Sequence, residues 1–396
     1  MRVLAISHSC VLPVNQRVFA TLEERTKARI ALLVPERWIS EYDGSTIVAE
    51  QLESSAYRFI TAPVAGRGNI NLHTYTRLPL REIKAFKPDV VLSGQEPYSL
   101  SGLQAACLAS FLRVPFLFQT NQNILKHYPP PFSWIESLSF KRAAVALAYS
   151  EEARQVMLSK GLRRPSAVLP YATDLARFTP RAGPSPVRVR FDLSEAWVIG
   201  FLGRLVPEKG LDTVIDAVIA LATELPNLRL LLVGSGPEEA SLRERAALGG
   251  VGNRIIFAGS VPHEEAALYL QAMDVFVLAS RTRPNWKEQF GRVLIEAMAC
   301  GVPVVGSDSG EIPNLIRATG GGLVFPEGDA SSLSERLRTL FADECKRRTL
   351  GETGAQSARG SYSCEAVADR LYEHLQNAVA TTRRVVAFPS ATPDSD

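Results

Sequence analysis

The chain has 396 residues, of which 46% are hydrophobic and 21% charged, so it is too apolar for a disordered protein and long enough for two or three domains. Its formal net charge of +3 is too small to indicate a nucleic-acid partner. The sequence contains no run of about 18 uncharged apolar residues that would predict a membrane span.

Short β-branched runs alternate with amphipathic stretches along most of the chain, which is typical of parallel strands connected by helices. In the first half the predicted strands are 3–7, 30–35, 89–93, 115–119 and 143–148, and the predicted helices include 98–112 and 151–160. Strands that read as continuous apolar runs are buried on both faces. We therefore predict an α/β domain over 1–175.

Prolines and a glycine interrupt this pattern before residue 197, where Pro180, Gly183, Pro184 and Pro186 cluster. Such a cluster predicts a linker, here over 176–196. A second alternating series follows, with predicted strands 198–202, 228–233, 254–258, 275–278, 303–306 and 323–325. It predicts a second domain over 197–362, then a helix over 363–380 and a flexible tail over 381–396.

The expected fold class is therefore α/β, with two Rossmann-like, doubly wound parallel-sheet domains that face a cleft. In such sheets, ligands bind beyond the carboxyl ends of the strands. Residues that directly follow a strand are consequently the first candidates for site residues.

The cysteines and the N-terminus indicate a cytoplasmic protein. Five widely spaced cysteines without a Cys-x-x-Cys pair argue against a disulfide framework or a structural zinc site. Met1 leads directly into a predicted strand, so no signal peptide is expected. Residues 1–180 carry 21 Lys and Arg against 14 Asp and Glu, which favours contact with an anionic inner membrane face or an acidic acceptor, although ordinary scatter explains it equally well.

The loop after strand 198–202 carries two cations, Arg204 and Lys209, before a helix that begins near Gly210. Cations beside the backbone amides of a helix start bind anions such as a diphosphate. Judged on spacing alone, a solvated surface loop is an equally good interpretation.

A later segment carries two acids, Glu288 in a loop before a helix and Glu296 two turns into that helix. Carboxylates accept hydrogen bonds from sugar hydroxyls, and the amides of Phe290 and Gly291 at the helix start can donate to phosphate. Exposed helix acids are the alternative. Because Glu296 lies in an apolar run, where a carboxylate needs a partner, the pattern favours a binding site.

Five segments in the same order along the chain together resemble the family 4 glycosyltransferases, also called glycosyl transferases group 1. They are Gly203-Arg204 with Lys209-Gly210, Val233-Gly234-Ser235-Gly236-Pro237, Phe257-Ala258-Gly259-Ser260-Val261-Pro262, Asp274-Val275-Phe276-Val277, and 288–305 with Glu288 and Glu296. The resemblance covers about 197–340. It implies the two-domain GT-B fold, with helix 363–380 packing back on the first domain.

The resemblance implies a retaining transfer from a UDP- or GDP-sugar to a glycan or lipid-linked acceptor, without a metal or other cofactor. The implied catalytic residues are Arg204 and Lys209, which hold the donor diphosphate, and Glu288, which binds sugar hydroxyls. The implied donor-binding residues are Gly203, Val261 beside the base, Phe290, Gly291, and Glu296 on the ribose. In keeping with a metal-free site, the one Asp-x-Asp motif is Asp394-Ser395-Asp396, in the tail.

The first domain departs from the family pattern at two places. The glycine-rich loop that relatives carry after the first strand is replaced by 8–17, where Asn15 and Arg17 are the candidate contacts and a helix N-cap is the alternative for Asn15. The histidine that relatives carry after another strand is absent, and Thr120 or Asn121 stands in its place. Glu96, after a further strand, is a candidate acceptor contact or a capping acid.

The sequence thus favours a glycosyltransferase of polysaccharide or cell-envelope glycoconjugate synthesis. Two alternatives stay open: a non-catalytic protein of the same fold that binds a nucleotide sugar or glycan, and a nucleotide-sugar epimerase. The departures in the first domain favour the non-catalytic alternative slightly, and the complete set of Arg204, Lys209, Glu288 and Glu296 argues against it.

Overall fold

The computed structural model describes residues 1–40, 44–53 and 55–387. The chain divides into two compact units. The first consists of Met1–Ala172 and a C-terminal segment that begins at Cys364, and the second consists of Thr173–Ser363. The end of the predicted tail, from 388 onward and including Asp394 and Asp396, lies outside the described residues.

The first unit is organised by strands that carry few polar residues. In the described part of the unit these are β1 (Arg2–Ile6), β2 (Arg29–Pro35), β3 (Arg37–Ile39), β4 (Thr46–Val48), β5 (Arg58–Ala62), β6 (Val64–Ala65), β7 (Thr74–Tyr75), β8 (Val90–Ser93), β9 (Phe116–Thr120), β10 (Ala143–Ala148) and β11 (Ser166–Val168). A parallel sheet has the order β11-β10-β9-β8-β1-β2-β5, while β3–β4 and β6–β7 are antiparallel pairs.

Neighbouring residues of the interior strands point into two different cores, because successive side chains of a strand face opposite sides of the sheet. Val3, Leu32 and Leu92 belong to one core, and Leu4 and Leu33 to the other. The edge strands β5 and β11 are absent from the predicted set. Both are short and only partly buried, so they lack the continuous apolar signal of the interior strands.

Helices connect these strands: α1 (Arg17–Arg25), α2 (Leu80–Phe86), α3 (Leu100–Leu112), α4 (Phe132–Arg142) and α5 (Glu151–Ser159). Ser150 caps α5, since its side chain accepts a hydrogen bond from the Ala153 amide. Two acids follow in the first turn of α5, where the helix dipole favours negative charge.

The second unit has its own parallel sheet, with the order β14-β13-β12-β15-β16-β17 over the described residues. Its strands are β12 (Trp197–Leu202), β13 (Leu228–Val233), β14 (Ile255–Gly259), β15 (Val275–Leu278), β16 (Val304–Ser307) and β17 (Gly322–Phe325). Each predicted strand of this series coincides with an observed one to within one residue at either end.

The helices of the second unit are α6 (Pro186–Arg190), α7 (Leu211–Leu221), α8 (Glu239–Leu248), α9 (Ala266–Leu270), α10 (Arg292–Ala299), α11 (Ile312–Thr319), α12 (Ala330–Ala342) and α13 (Glu344–Tyr362). The short helix α6 lies inside the segment 176–196 that the sequence predicts as a linker. Its Arg188 donates to the Ala272 carbonyl at 2.9 Å and to Asp274 at 2.6 Å, so this segment packs as part of the second unit.

The last helix, α14 (Cys364–Ala387), belongs to the first unit. Its buried residues Val367, Leu371 and Leu375 lie in the same core as residues of β1 and β2. On its surface, the guanidinium of Arg25 makes two hydrogen bonds to Asp369, at 3.0 and 2.7 Å. The first unit is therefore assembled from two pieces of chain that are distant in sequence.

In each sheet the order in which the chain adds strands reverses direction once. In the first sheet the chain proceeds from β1 to β2 and β5 on one side and then re-enters at β8 on the other side. In the second sheet the reversal lies between β12 and β15. The predicted fold class, two Rossmann-like parallel-sheet domains, is confirmed. At each reversal the loops that follow two adjacent strands lead to opposite faces of the sheet and leave a crevice where ligands bind.

Candidate functional site

The loop after β12 lies at the switch point of the second sheet and carries the predicted cations. The Gly203 amide donates to the Val233 carbonyl at 2.9 Å, and the Leu205 amide donates to the Ser235 carbonyl at 3.0 Å. Leu205 is buried, whereas Arg204 beside it is exposed. The backbone is thus fixed on both sides of Arg204, and its guanidinium extends from an anchored position.

Lys209 ends a short 3₁₀ turn at the close of the same loop. Gly210 follows with φ of +62°, and a Cβ on this residue would collide with the Ala279 carbonyl just beyond β15. Only glycine combines this backbone conformation with so close an approach. As a result, Lys209 is held next to the segment that follows β15.

Lys209 forms an ion pair with Glu288, with 2.7 Å between Nζ and Oε2. The two side chains are only 20% and 11% exposed. The Ser280 hydroxyl donates to the same carboxylate oxygen at 2.9 Å, and the Lys209 ammonium lies 5.1 Å from the centre of the Trp286 ring. A cation and an anion are therefore held together in a fixed place that water reaches poorly.

The backbone of Glu288 is fixed by the segment that follows β16. The Glu288 carbonyl accepts a hydrogen bond from the Glu311 amide at 3.1 Å. Gly310 has φ of +56° and passes so close to this carbonyl that a Cβ would overlap it. The Ser307 hydroxyl donates to the Ser280 carbonyl at 2.6 Å. The carboxylate is thus preorganised by contacts from two strand ends.

Phe290 and Gly291 lie at the N-terminal end of α10. Gly291 adopts φ of +81°, and its carbonyl accepts the Leu294 amide at 2.9 Å, which begins the helix. Phe290 is buried, with its ring 6.1 Å from that of Tyr362. The amides at this helix end carry the positive pole of the helix dipole, which favours a negatively charged ligand.

Glu296 lies in the second turn of α10 and is 6% exposed. Burial raises the pKa of its carboxyl group, and the nearby charges of Arg292 and His263 oppose this rise. Cys300 follows one turn later, where burial and the Glu296 carboxylate raise the pKa of its thiol to about 12. Glu296 is therefore a carboxylate in an apolar place, as the sequence predicts.

Val261 is half-buried in the loop after β14. The start of this loop is tied to the loop after β13, since the Gly234 amide donates to the Gly259 carbonyl at 2.8 Å and the hydroxyls of Ser235 and Ser260 lie 2.7 Å apart. The backbone before Val261 therefore stands at the same carboxyl edge of the sheet as the loop that carries Arg204.

In the first unit the structure brings Glu96 and Asn121 together. One carboxylate oxygen of Glu96 accepts the Asn121 amide at 2.9 Å, and the other accepts the Thr120 hydroxyl at 2.5 Å. Burial raises the pKa of the Glu96 carboxyl group, and these two hydrogen bonds oppose the rise. Glu96 thus fixes the loop after β9 and caps its backbone.

Asn15 and Arg17 lie in and just after a 3₁₀ turn that precedes α1. The Asn15 side chain donates to the Ser9 carbonyl at 2.8 Å, so it folds the loop back on itself, while the N-cap position of α1 is taken by Gln16. Gln16 is fully buried, and its amide nitrogen donates to the carbonyls of Cys10 and Glu50, both at 2.6 Å.

Sequence reasoning missed several residues of these two switch points, although each has a signal in the sequence. Ser280 follows β15 by two residues, and in the first unit His8 and Gln95 follow β1 and β8 by the same distance. Polar residues at such places are the ones that a strand-end search would select. Trp286 offered no comparable signal, because it lies inside an irregular loop.

Over residues 1–40, 44–53 and 55–387, no group of three or more His, Cys, Asp or Glu side chains is placed to hold a metal ion. The same stretches contain no helix that combines the length and the apolar character needed to cross a membrane.

Most of the second unit is similar to a known family. Residues 189–357 match the model of the family described as glycosyl transferases group 1. This range contains Arg204, Lys209, Glu288 and Glu296. The resemblance carried by the motifs is thereby confirmed for this part of the chain, which is similar to the group 1 glycosyltransferases.

A relative from Corynebacterium glutamicum is named GDP-mannose-dependent monoacylated alpha-(1-6)-phosphatidylinositol monomannoside mannosyltransferase. It is 35% identical over 214 residues, which cover 53% of this chain and 55% of that protein. The matching part of the chain thus spans about half the length of this curated relative and of two similar mannosyltransferases.

Solved structures resemble nearly the whole chain. A glycosyltransferase from Rickettsia africae has a TM-score of 0.75 at 16% identity, covering 96% of this chain and 98% of that one. HepE from Anabaena in complex with UDP has a TM-score of 0.72 at 19% identity, covering 95% and 100%. At these identities the similarity shows the fold, which agrees with the predicted GT-B class.

Proposed function

We propose that this chain is a glycosyltransferase that moves a sugar from a UDP- or GDP-sugar to a lipid-linked or other glycan acceptor. The observation that carries the proposal is the ion pair of Lys209 and Glu288 at the switch point of the second sheet, inside the segment that matches the glycosyltransferase family. An ammonium group binds phosphate and a carboxylate binds hydroxyls. A nucleotide sugar presents these two kinds of group side by side.

The donor diphosphate is assigned to Arg204 and Lys209. Arg204 extends from an anchored loop next to Gly203, and Lys209 already faces an anion, Glu288. When a diphosphate binds, the Lys209 ammonium can contact it while Glu288 keeps its hydrogen bond from Ser280. Two fixed cations stabilise the negative charge that develops on the departing nucleotide, so we propose that the reaction needs no metal ion or other cofactor.

The transferred sugar is assigned to Glu288, with the amides of Phe290 and Gly291 at the start of α10. The Glu288 carboxylate has a fixed backbone and a fixed hydroxyl neighbour, so it can accept hydrogen bonds from sugar hydroxyls without reorganising. We propose retention of the anomeric configuration on the family resemblance.

The nucleoside is assigned to Glu296 and to the backbone around Val261. A buried carboxylate gains stability when two vicinal hydroxyls, such as those of a ribose, donate to it. The mannosyltransferase relatives are named for GDP-mannose and HepE is described with UDP, so both bases belong in a first donor screen.

The acceptor is assigned to the first unit, with Asn15, Arg17, Glu96 and Asn121 as candidate contacts. Glu96 acts on Asn121 through the backbone amide, so it shapes the acceptor loop. The Corynebacterium relative is named for a phosphatidylinositol mannoside. A lipid-linked acceptor is therefore proposed first, with peripheral contact to an anionic membrane.

The test is nucleotide release from UDP- and GDP-sugars, in EDTA, with vesicles that contain phosphatidylinositol as the first acceptor. Arg204→Ala, Lys209→Met and Glu288→Gln proteins should lose at least 100-fold in kcat/KM, an order of magnitude typical of a lost charge-stabilising contact. Arg348→Ala, which removes a cation that is 67% exposed, should match the unmodified protein. Tight nucleotide-sugar binding without turnover would support the non-catalytic alternative and contradict the proposal.

A further inference from the structure

The switch point of the first sheet places two polar residues opposite each other. Ile6 of β1 and Ser93 of β8 are register partners, and His8 and Gln95 each follow by two residues. Their side chains meet beyond the carboxyl ends of these strands, where His8 Nδ1 lies 2.7 Å from Gln95 Oε1. Crevices at such reversals of strand order are where doubly wound sheets bind ligands.

Two buried rings complete this arrangement, which we call the His8 cluster: His8, Trp38, His73 and Gln95. The ring centres of His8 and Trp38 lie 5.0 Å apart, those of His8 and His73 5.3 Å, and those of Trp38 and His73 4.9 Å. His73 and Gln95 are completely buried and Trp38 is 6% exposed, whereas His8 is partly exposed.

The hydrogen bonds of His73 fix which of its nitrogens carries a proton. His73 Nδ1 lies 3.1 Å from the Asn69 carbonyl and 3.2 Å from the Ile70 carbonyl. Carbonyl oxygens only accept hydrogen bonds, so Nδ1 is the donor. Burial lowers the pKa of His73 to about 4, and the ring is therefore neutral at pH 7. In a neutral ring with a protonated Nδ1, Nε2 carries a lone pair.

This assignment orients the amide of Gln95. Among the described residues, Gln95 Nε2 and His73 Nε2 are buried atoms without a well-formed hydrogen bond, and one is a donor and the other an acceptor. The Gln95 oxygen faces His8, which leaves the Gln95 nitrogen as the donor that can pair with the lone pair of His73. His8 Nδ1 must then donate, which leaves the lone pair of His8 on Nε2.

We propose that His8 Nε2 accepts a hydrogen bond from a hydroxyl group of a substrate, and that Gln95 and His73 are positioning residues that hold His8 in the tautomer required. The inference rests on the proposed glycosyltransferase function. Ionised phosphate groups offer no proton to such a nitrogen, so the cluster selects a hydroxyl rather than the donor diphosphate. The hydroxyl comes from the acceptor or from the donor sugar, two sources that kinetics can separate.

Burial also lowers the pKa of His8, against the opposing effect of its hydrogen bond with Gln95. A neutral His8 is therefore the form present at pH 7.5, and a neutral ring has one donor and one acceptor nitrogen. The contacts from His73 through Gln95 to His8 make Nδ1 of His8 the donor and leave Nε2 as the acceptor.

The first experiment reads the tautomer without any substrate. Protein labelled with ¹⁵N in its histidine rings is observed by NMR at pH 7.5, and the His8 signals are assigned from their loss in His8→Phe protein. We expect a protonated Nδ1 and an unprotonated Nε2, and a mixture of tautomers in Gln95→Met protein. An Nε2-protonated His8 in the unmodified protein would overturn the inference.

The second experiment measures kcat and KM for transfer and for hydrolysis of the donor without acceptor. His8→Phe should lower kcat/KM roughly tenfold, the loss expected for one hydrogen bond, and His8→Gln should retain more activity because an amide can still accept at that position. His374→Gln, on α14, is the matched control and should leave both reactions unchanged. A higher KM for the acceptor alone identifies an acceptor hydroxyl, and a loss in both reactions identifies the donor sugar.

The kinetic measurements distinguish a failure of the His8 inference from a failure of the proposed function. Normal kinetics in folded His8→Phe and His8→Gln proteins would overturn the inference and leave the proposed function intact. An unmodified protein that turns over no donor would overturn the proposed function and with it the substrate contact of His8. Gln95→Met tests the positioning role with His8 in place, since a loss of transfer without a change in melting temperature is not expected from a merely structural residue.

Discussion

The ammonium group of Lys209 lies 2.7 Å from the carboxylate of Glu288, although 79 residues separate them in the chain. The contact exists because β12 and β15 are neighbours in the sheet, so the loops that follow them emerge side by side. Each residue comes from a separate motif in the sequence. The fold brings the two motifs together into one site that contains an ammonium group and a carboxylate.

Breaking this pair should destabilise the protein strongly. Lys209→Met leaves a Glu288 carboxylate that is 11% exposed without its cation, which should cost about 3 kcal/mol of unfolding free energy. The double variant Lys209→Met with Glu288→Gln should recover part of this loss because no uncompensated charge is left. Urea unfolding of both single variants and the double variant measures the coupling. Fully additive losses would show that the pair makes no specific contribution.

Glu296→Gln should stabilise the protein at neutral pH. Because burial raises the pKa of Glu296, the folded state favours the protonated carboxyl, and that contribution is present below the unfolded pKa near 4.5 and is lost as the pH rises through the folded value. The Gln variant removes the cost of ionisation, so its melting temperature should exceed that of the unmodified protein at pH 7.5, by about 2–4 °C for each kcal/mol, and the difference should vanish near pH 4.

The matched control for this variant is Glu352→Gln, whose carboxylate is 74% exposed and whose melting temperature should not change with the substitution. If Glu296 also binds a ribose, the stabilised Gln variant should bind nucleotide more weakly, as isothermal titration would show. A Glu296→Gln protein that melts lower than the unmodified one at pH 7.5 would contradict the proposed cost of burial.

The thiols should fall into two classes toward a disulfide reagent at pH 8. Cys107 and Cys345 are exposed, whereas Cys10, Cys300 and Cys364 are buried. Burial raises the pKa of Cys10 to about 11 and that of Cys300 to about 12, so neither forms much thiolate. The folded protein should therefore react quickly at two thiols and at all five only after unfolding. Fast modification of Cys300 in the folded protein would show that α10 is less well packed.

Shortening a buried side chain of α14 should weaken the first unit. Leu371 is 1% exposed in the core that also contains residues of β1 and β2, so Leu371→Ala should cost about 2–5 kcal/mol. Gln376→Ala, at an exposed position of the same helix, should have little effect. Hydrogen exchange should show faster opening in β1 and β2 of the Leu371→Ala protein. Equal exchange in the two variants would mean that α14 stabilises the first unit little.

Much of the fold was predictable because many of its strands are buried on both faces and read as uninterrupted apolar runs, as in Val275–Leu278. The edge strand Arg58–Ala62 was not, because one side of an edge strand has no neighbour and its residues alternate between exposed and buried. The segment 176–196 reads as a linker from its prolines, yet Arg188 anchors it to Asp274, a contact that local sequence does not encode.

The candidate site likewise has residues that the sequence predicts and contacts that it does not. Residue type and spacing predict Arg204, Lys209, Glu288 and Glu296 as site residues, but the pairing of Lys209 with Glu288 depends on which strands lie next to each other. His8 and Gln95 are 87 residues apart, and their contact follows from the register of β1 and β8. Motifs thus identify residues that share a chemistry, and the sheet order decides which of them touch.

The packing of α14 on the first unit affects the order in which the two units can fold during translation. Met1–Ala172 emerges from the ribosome before the second unit, but the core of the first unit lacks Leu371 and Leu375 until α14 emerges. The second unit is one continuous piece, so it can complete its folding first. The part of the protein made first is thus the part finished last, and its incomplete apolar surface is the one that a chaperone would meet during translation.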